Sequence, residues 1–346
     1  MNAGNTRRVD EVDMKATATL RRTCAPARRG AAGRPGARRG VVFAAAWLAA
    51  HAGLFAVGCG SDGDARGTVV VFVEPEDSIP EGVEPGTGDE QIVDGWKVDY
   101  SAFTIVIGNL RAGRSADSSA SLRDPSLTMV NLLDVPGGGL VLHTFDDVAA
   151  VRWDRFGFDL AKATAEVGRA DGVSDAEFAR LVSAGASLHV AGTITKPGGQ
   201  SCKPGDAKDC VAAAQIRFDW LLAVPTSFDD CAPPTGDAGF AVPAGGTVQI
   251  KPTIHGDHWF FSNVTQGAEI TTRRGQWLAD ADLDRDGETT LQELAATKAA
   301  TLFPAGSYNL SGALVPIVTG LDFVQAQART LGDFQGEGEC PTRKAL

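Results

Sequence analysis

One stretch of this sequence concentrates its chemistry: Asp282-Leu283-Asp284-Arg285-Asp286-Gly287-Glu288-Thr289-Thr290-Leu291-Gln292-Glu293. The carboxylates of Asp282, Asp284 and Asp286 alternate, so they can converge on one point. Gly287 permits the sharp turn that brings the chain back around that point. Glu288 offers its backbone carbonyl, so its side-chain type matters little. Thr290 acts directly or through a water, and Glu293 closes the set with two carboxylate oxygens. An all-oxygen set of this kind suits calcium, a hard cation that takes six to eight oxygens. The plainer alternative is an acidic helix cap or a surface loop.

A second candidate lies upstream, where His255 and His258 stand three apart with Asp257 between them. Imidazole suits zinc or copper. On a helix the two rings would share a face, and on a strand they would point to opposite faces. Gly256 allows a bend that makes them converge. His143, His189 or Asp257 would complete a transition-metal site. The structural alternative is that both histidines hydrogen-bond where the strands meet the helical part. HxxH is not HExxH, so no metalloprotease is implied.

Six cysteines are present. Cys24 falls in a leader and Cys59 at its end. Cys202, Cys210, Cys231 and Cys340 remain, an even number suited to two disulfides in an oxidising compartment. Cys202 and Cys210 flank the turn signal Lys203-Pro204-Gly205-Asp206 and are expected to pair locally. Cys231 then pairs with Cys340 and ties down the C-terminal tail. No CxxC spacing favours zinc at these thiols.

The elements that must position these groups read mainly as strands. Expected strands are 68–73 (buried), 103–107, 127–133, 151–160, 187–195, 215–224 and 247–254, separated by turn signals. A helix is expected over 175–184, with Ser174 and Glu177 in capping-box positions. Residues 266–281 and 291–302 read as helices entering and leaving the acidic loop, and 321–331 as a last helix. The expected fold class is mainly β, an antiparallel β-sandwich with a C-terminal α-helical segment. Expected boundaries are a leader at 1–58, a tether at 59–66, a β-sandwich region at 67–262 (as two sheet-based subdomains, 67–170 and 186–262) and a helical, disulfide-tied tail at 263–346.

Arg38 and Arg39 precede a mostly apolar run, 41–58, that ends in Ala56-Val57-Gly58-Cys59. A basic region, an apolar region and small residues at the cut form a secretory signal. The segment resembles the lipobox of bacterial lipoproteins, with Ala56 where Leu is favoured. That resemblance implies acylation of Cys59 and anchoring to a membrane through an N-terminal lipid, facing the periplasm or cell surface. The net charge of −11 is uneven: nine Arg and one Lys against three acids leave +7 in residues 1–58, so the remainder carries −18. An acidic body repels nucleic acid, which argues against such a partner.

The acidic loop resembles that of the EF-hand family over its twelve residues and possible flanking helices. It departs at Thr289, where the family places an aliphatic residue that pairs with a sister loop. No second loop is found, which points to a lone, structural calcium site. The layout of sheets, a histidine-bearing strand and a C-terminal Cys is also faintly similar to periplasmic copper-handling β-sandwich proteins. Nucleophile elbows, P-loops, dinucleotide glycines and redox CxxC pairs are absent, so no catalytic residue is assigned. Three classes follow: a calcium-binding lipoprotein with a non-catalytic binding or structural role, a copper or zinc binding protein using His255 and His258, and a calcium-stabilised hydrolase. The protein or small-molecule partner is not legible.

Overall fold

The computed structural model describes residues 65–265 and 271–344. The leader, Cys59, most of the tether and the start of the helix expected from Gln266 lie outside the described residues. All described residues belong to one unit, Cys59–Leu346.

The fold is mainly β and built from several sheets. Its largest sheet has nine strands and centres on Lys97–Arg114, which pairs antiparallel with Asp117–Asn131, Arg155–Leu160 and Leu188–Thr195. Gln215–Leu222 continues the sheet beyond Leu188–Thr195. Along Gln215–Leu222 the apolar Ile216, Phe218, Trp220 and Leu222 are buried and alternate with more exposed Gln215, Arg217, Asp219 and Leu221, the period-two pattern of a strand with one covered face. Residues 103–108 are buried without a break because both faces of that strand are covered. On the second face Val106 and Met129 pack with Leu181 of the helix Asp175–Ala184.

The second sheet has five strands and centres on Arg66–Pro75. Val69, Val71 and Val73 are buried while the residues between them are partly exposed, so the strand expected to be fully buried has one covered face. It pairs antiparallel with Leu140–Ala149 but parallel with Thr247–Ile250 and Pro252–Ile254. This sheet is therefore mixed rather than wholly antiparallel.

Two expected features are corrected. Regions 67–170 and 186–262 are not separate subdomains, because their strands share the nine-stranded sheet and one hydrophobic core that runs from Val69 to Cys340. The helix expected over 291–302 is broken into Leu291–Ala296 and Ala299–Leu302, with extended Thr297 and Lys298 between them. Lys298 bridges to Thr319 there. The helix Gln276–Asp280 is also short. Both disulfides form as expected, Cys202–Cys210 and Cys231–Cys340.

Candidate metal centres

The acidic loop is held by the large sheet. Glu288–Thr289 forms a short strand that pairs in parallel with Arg217 and Phe218 at the sheet's edge. The Thr289 carbonyl accepts from Trp220 Nε1 at 2.8 Å, and its hydroxyl donates to the Leu278 carbonyl at 2.7 Å. Thr289 is wholly buried. Its hydroxyl ties the outgoing side of the loop to the incoming helix, which gives a physical reason for a polar residue where an aliphatic one was expected. Asp94 caps that helix by accepting from Gly275 N and Gln276 N at 3.0 Å.

Within the loop, oxygens of Asp282, Asp284 and Glu293 lie within 4.8 Å of one another. Asp282 accepts from Asp286 N and Gly287 N at 3.1 and 3.0 Å. Gly287 has φ 83° and Arg285 φ 64°, left-handed conformations that curl the chain around the cluster. Glu293 Oε1 accepts from Leu283 N, while Oε2 accepts from Thr290 N and its hydroxyl. Thr290 Oγ1 in turn accepts from Glu293 N, which completes a capping box on Leu291–Ala296. Asp286 turns to Glu288 N at 2.9 Å, and the Glu288 side chain faces Arg217. Burial pushes the Asp282 carboxyl above its ordinary range, and the Glu293 charge adds to this against the N–H of Gly287. The donors are all oxygen. Ligands on opposite sides of a calcium ion, with contacts of about 2.3–2.6 Å, stand near 5 Å apart, so the three oxygens are close enough together to share one such ion.

The histidine segment does converge. His255 follows the strand Pro252–Ile254, and His258 begins a 3-10 turn, His258–Phe260. The chain bends at Gly256, which is packed too closely for a side chain: a Cβ there would meet Ile79 at 2.8 Å and Tyr100 at 3.1 Å. The imidazole rings lie 5.0 Å apart between centroids. His255 Nε2 is 3.3 Å from Asp333 Oδ2, and its Nδ1 is 4.0 Å from Asp257. A nitrogen of each histidine and an oxygen of Asp333 lie within 4.8 Å of one another, and Glu76, His255 and Asp257 form an overlapping group. Asp257 is paired with Arg273 at 2.5 Å. Burial, helped by His255, pushes the His258 imidazole down to about 3.

His143 and His189 do not join this group. His143 faces Asp124 at 3.1 Å, and His189 lies between Glu177 and Asp219. Glu177 spends its carboxylate on His189 rather than returning it to Ser174, so the expected capping box on Asp175–Ala184 is half made. Asp333 and Glu76 had no spacing signal, because each reaches the histidines from a distant segment. A groove of about 730 Å³ is lined by Arg111, Arg114, Arg123 and Arg155. Arg111 is answered by Asp159 and Asp229, and Arg155 by Asp230, which weakens any pull on anions. Among the described residues no helix is long and apolar enough to cross a membrane.

No protein family, curated protein or solved structure matches this chain.

Proposed function

We propose that this protein is an exported lipoprotein, anchored to a membrane through Cys59, whose β-sandwich body carries one EF-hand-type calcium site with a non-catalytic binding or structural role. The observation that carries the calcium reading is the convergence of Asp282, Asp284 and Glu293 oxygens at the turn made by Gly287. Export is supported by the two disulfides, which belong to an oxidising compartment. Anchoring rests on the Gly58-Cys59 junction. Nucleic acid is not a partner in this reading, because the body is strongly acidic.

The loop pairs with the edge of a rigid sheet rather than with a sister loop, so calcium here holds the tail against the body. Affinity belongs in the range of extracellular modules, on the order of 10⁻⁴ to 10⁻³ M. At one hundred times the dissociation constant, calcium stabilises the fold by about 2.7 kcal/mol. Titration calorimetry on the full chain tests this. Glu293→Gln is expected to lose most of the calcium heat and Glu288→Ala little of it. No heat in the native protein, or equal losses from the two changes, overturns the reading. For the anchor, fatty-acid labelling is expected to vanish with Cys59→Ala.

A further inference from the structure

We infer that His255, His258 and Asp333 form a second metal site, for a divalent transition ion of the zinc class, separate from the acidic loop. The inference stands independently of the calcium reading.

Distance is the first support. A tetrahedral zinc ion with bonds of about 2.0–2.2 Å places its ligands roughly 3.4 Å apart. His255 Nε2 and Asp333 Oδ2 already stand 3.3 Å apart. His258 belongs to the same group: one of its nitrogens lies within 4.8 Å of a nitrogen of His255 and an oxygen of Asp333, close enough for the three residues to share one ion. Three protein ligands then leave a fourth position for water.

Proton placement is the second. The Thr330 hydroxyl donates its single proton to the Gln327 carbonyl at 2.9 Å. Its oxygen must therefore accept from His258 Nδ1 at 2.9 Å. That assigns the His258 proton to Nδ1 and leaves a lone pair on Nε2, the arrangement by which an outer hydrogen bond orients a metal-binding imidazole.

The third is what lacks a hydrogen bond. His255 Nε2 and Asp257 Oδ1 are buried with no hydrogen bond, although each residue is only 3% exposed. A buried polar atom that makes no hydrogen bond is costly, and a metal at His255 Nε2 removes that cost for the nitrogen. Charge agrees. Glu76, Asp257 and Asp333 bring carboxylates to the pocket beside the guanidinium of Arg273, a setting that attracts a dication. Imidazole ligands favour zinc or copper where the all-oxygen loop favours calcium, so the two sites sort ions by ligand softness.

The competing arrangement is a protonated His255 held between Asp333 and Asp257 with no metal. The test uses the full chain, stripped with chelator and then saturated with calcium to fill the loop. Zinc is titrated by calorimetry, with a parallel thermal melt, and cobalt(II) replaces zinc as a visible-absorption probe. The expected result is one zinc per chain, a raised melting temperature and the intense visible bands of four-coordinate cobalt. Asp333→Asn and His258→Gln are each expected to weaken zinc binding at least about tenfold and leave the calcium heat unchanged, while Glu293→Gln leaves zinc binding intact. Should His258→Gln fail to fold, the milder Asp333→Asn and the cobalt spectrum of the native protein still decide. No zinc uptake, or uptake that Asp333→Asn leaves unchanged, overturns the inference.

Discussion

The acidic loop and the histidine pocket both crowd carboxylates together, and they answer the charge in different ways. In the loop, Asp282, Asp284, Asp286 and Glu293 all accept N–H groups from the same turn. The chain makes the cluster and satisfies it within a dozen residues. In the pocket, the short run from His255 to His258 meets Glu76, Arg273 and Asp333 from three distant segments, and two buried atoms are left without a hydrogen bond. A cluster made by local spacing can be met by its own backbone. A cluster made by packing depends on long-range partners, so damage to it should be costlier and less forgiving.

Each region has its own disulfide, which gives the first way to break the comparison. Cys231–Cys340 closes a separation of 109 residues just beyond the strand that carries Asp333. Cys202–Cys210 closes a separation of 8 beside the loop, where Cys202 N donates to Asp280 and Asp209 pairs with Arg285. In the chain-entropy account, losing the long bridge costs about 5 kcal/mol and losing the short one about 2.5 kcal/mol. Denaturant melts of the paired Cys→Ala variants read the difference, and equal losses would remove the asymmetry.

Two arginines sharpen it. Arg273→Met strands the buried Asp257 carboxylate and is expected to cost about 3–5 kcal/mol. Arg285→Met breaks a pair that is a third to a half exposed, with an expected loss of about 0–1 kcal/mol. The same melts compare them, and a costly Arg285→Met would mean that the loop is as unforgiving as the pocket.

An effect smaller than the loss of the Arg273 pair lies where the loop meets the sheet. Trp220→Phe leaves the buried Thr289 carbonyl without its donor, a loss of about 1–3 kcal/mol. Calcium affinity should fall as well, because the short strand that fixes the loop is loosened. Unchanged calcium heats in this variant would show that the loop holds its shape without the sheet.

Much of this was legible. Gln215–Leu222 announced itself as a strand between turn signals, and Asp175–Ala184 by its Ser174 cap. Leu140–Ala149 did not, because its His143, Thr144, Asp146 and Asp147 interrupt any apolar period on what is an outer strand. Lys97–Arg114 was longer than expected: Gly108 and Asn109 shift the register between its strand partners, and a bulge resets the period that a sequence reading follows. The split at Thr297 was hidden for another reason. It is set by the Lys298–Thr319 bridge, a contact with a remote segment, while the local residues are helix-compatible.

The sequence by itself determined the loop, because its alternating carboxylates, its Gly287 turn and its Thr290–Glu293 cap all act over a few bonds. It also determined which four cysteines remain to pair in the body, since the turn at 203–206 brings Cys202 to Cys210 and leaves Cys231 for Cys340. Tertiary structure decided what the histidines face. Asp333 comes to His255 because Gly332–Phe334 pairs with Pro252–Ile254, and Thr330 comes to His258 just after the helix Gly320–Gln327. Tertiary structure also decided that Thr289 would dock on Trp220 of a sheet rather than on a second loop. Those pairings depend on strand register between distant segments, and no spacing within either segment encodes a register with the other.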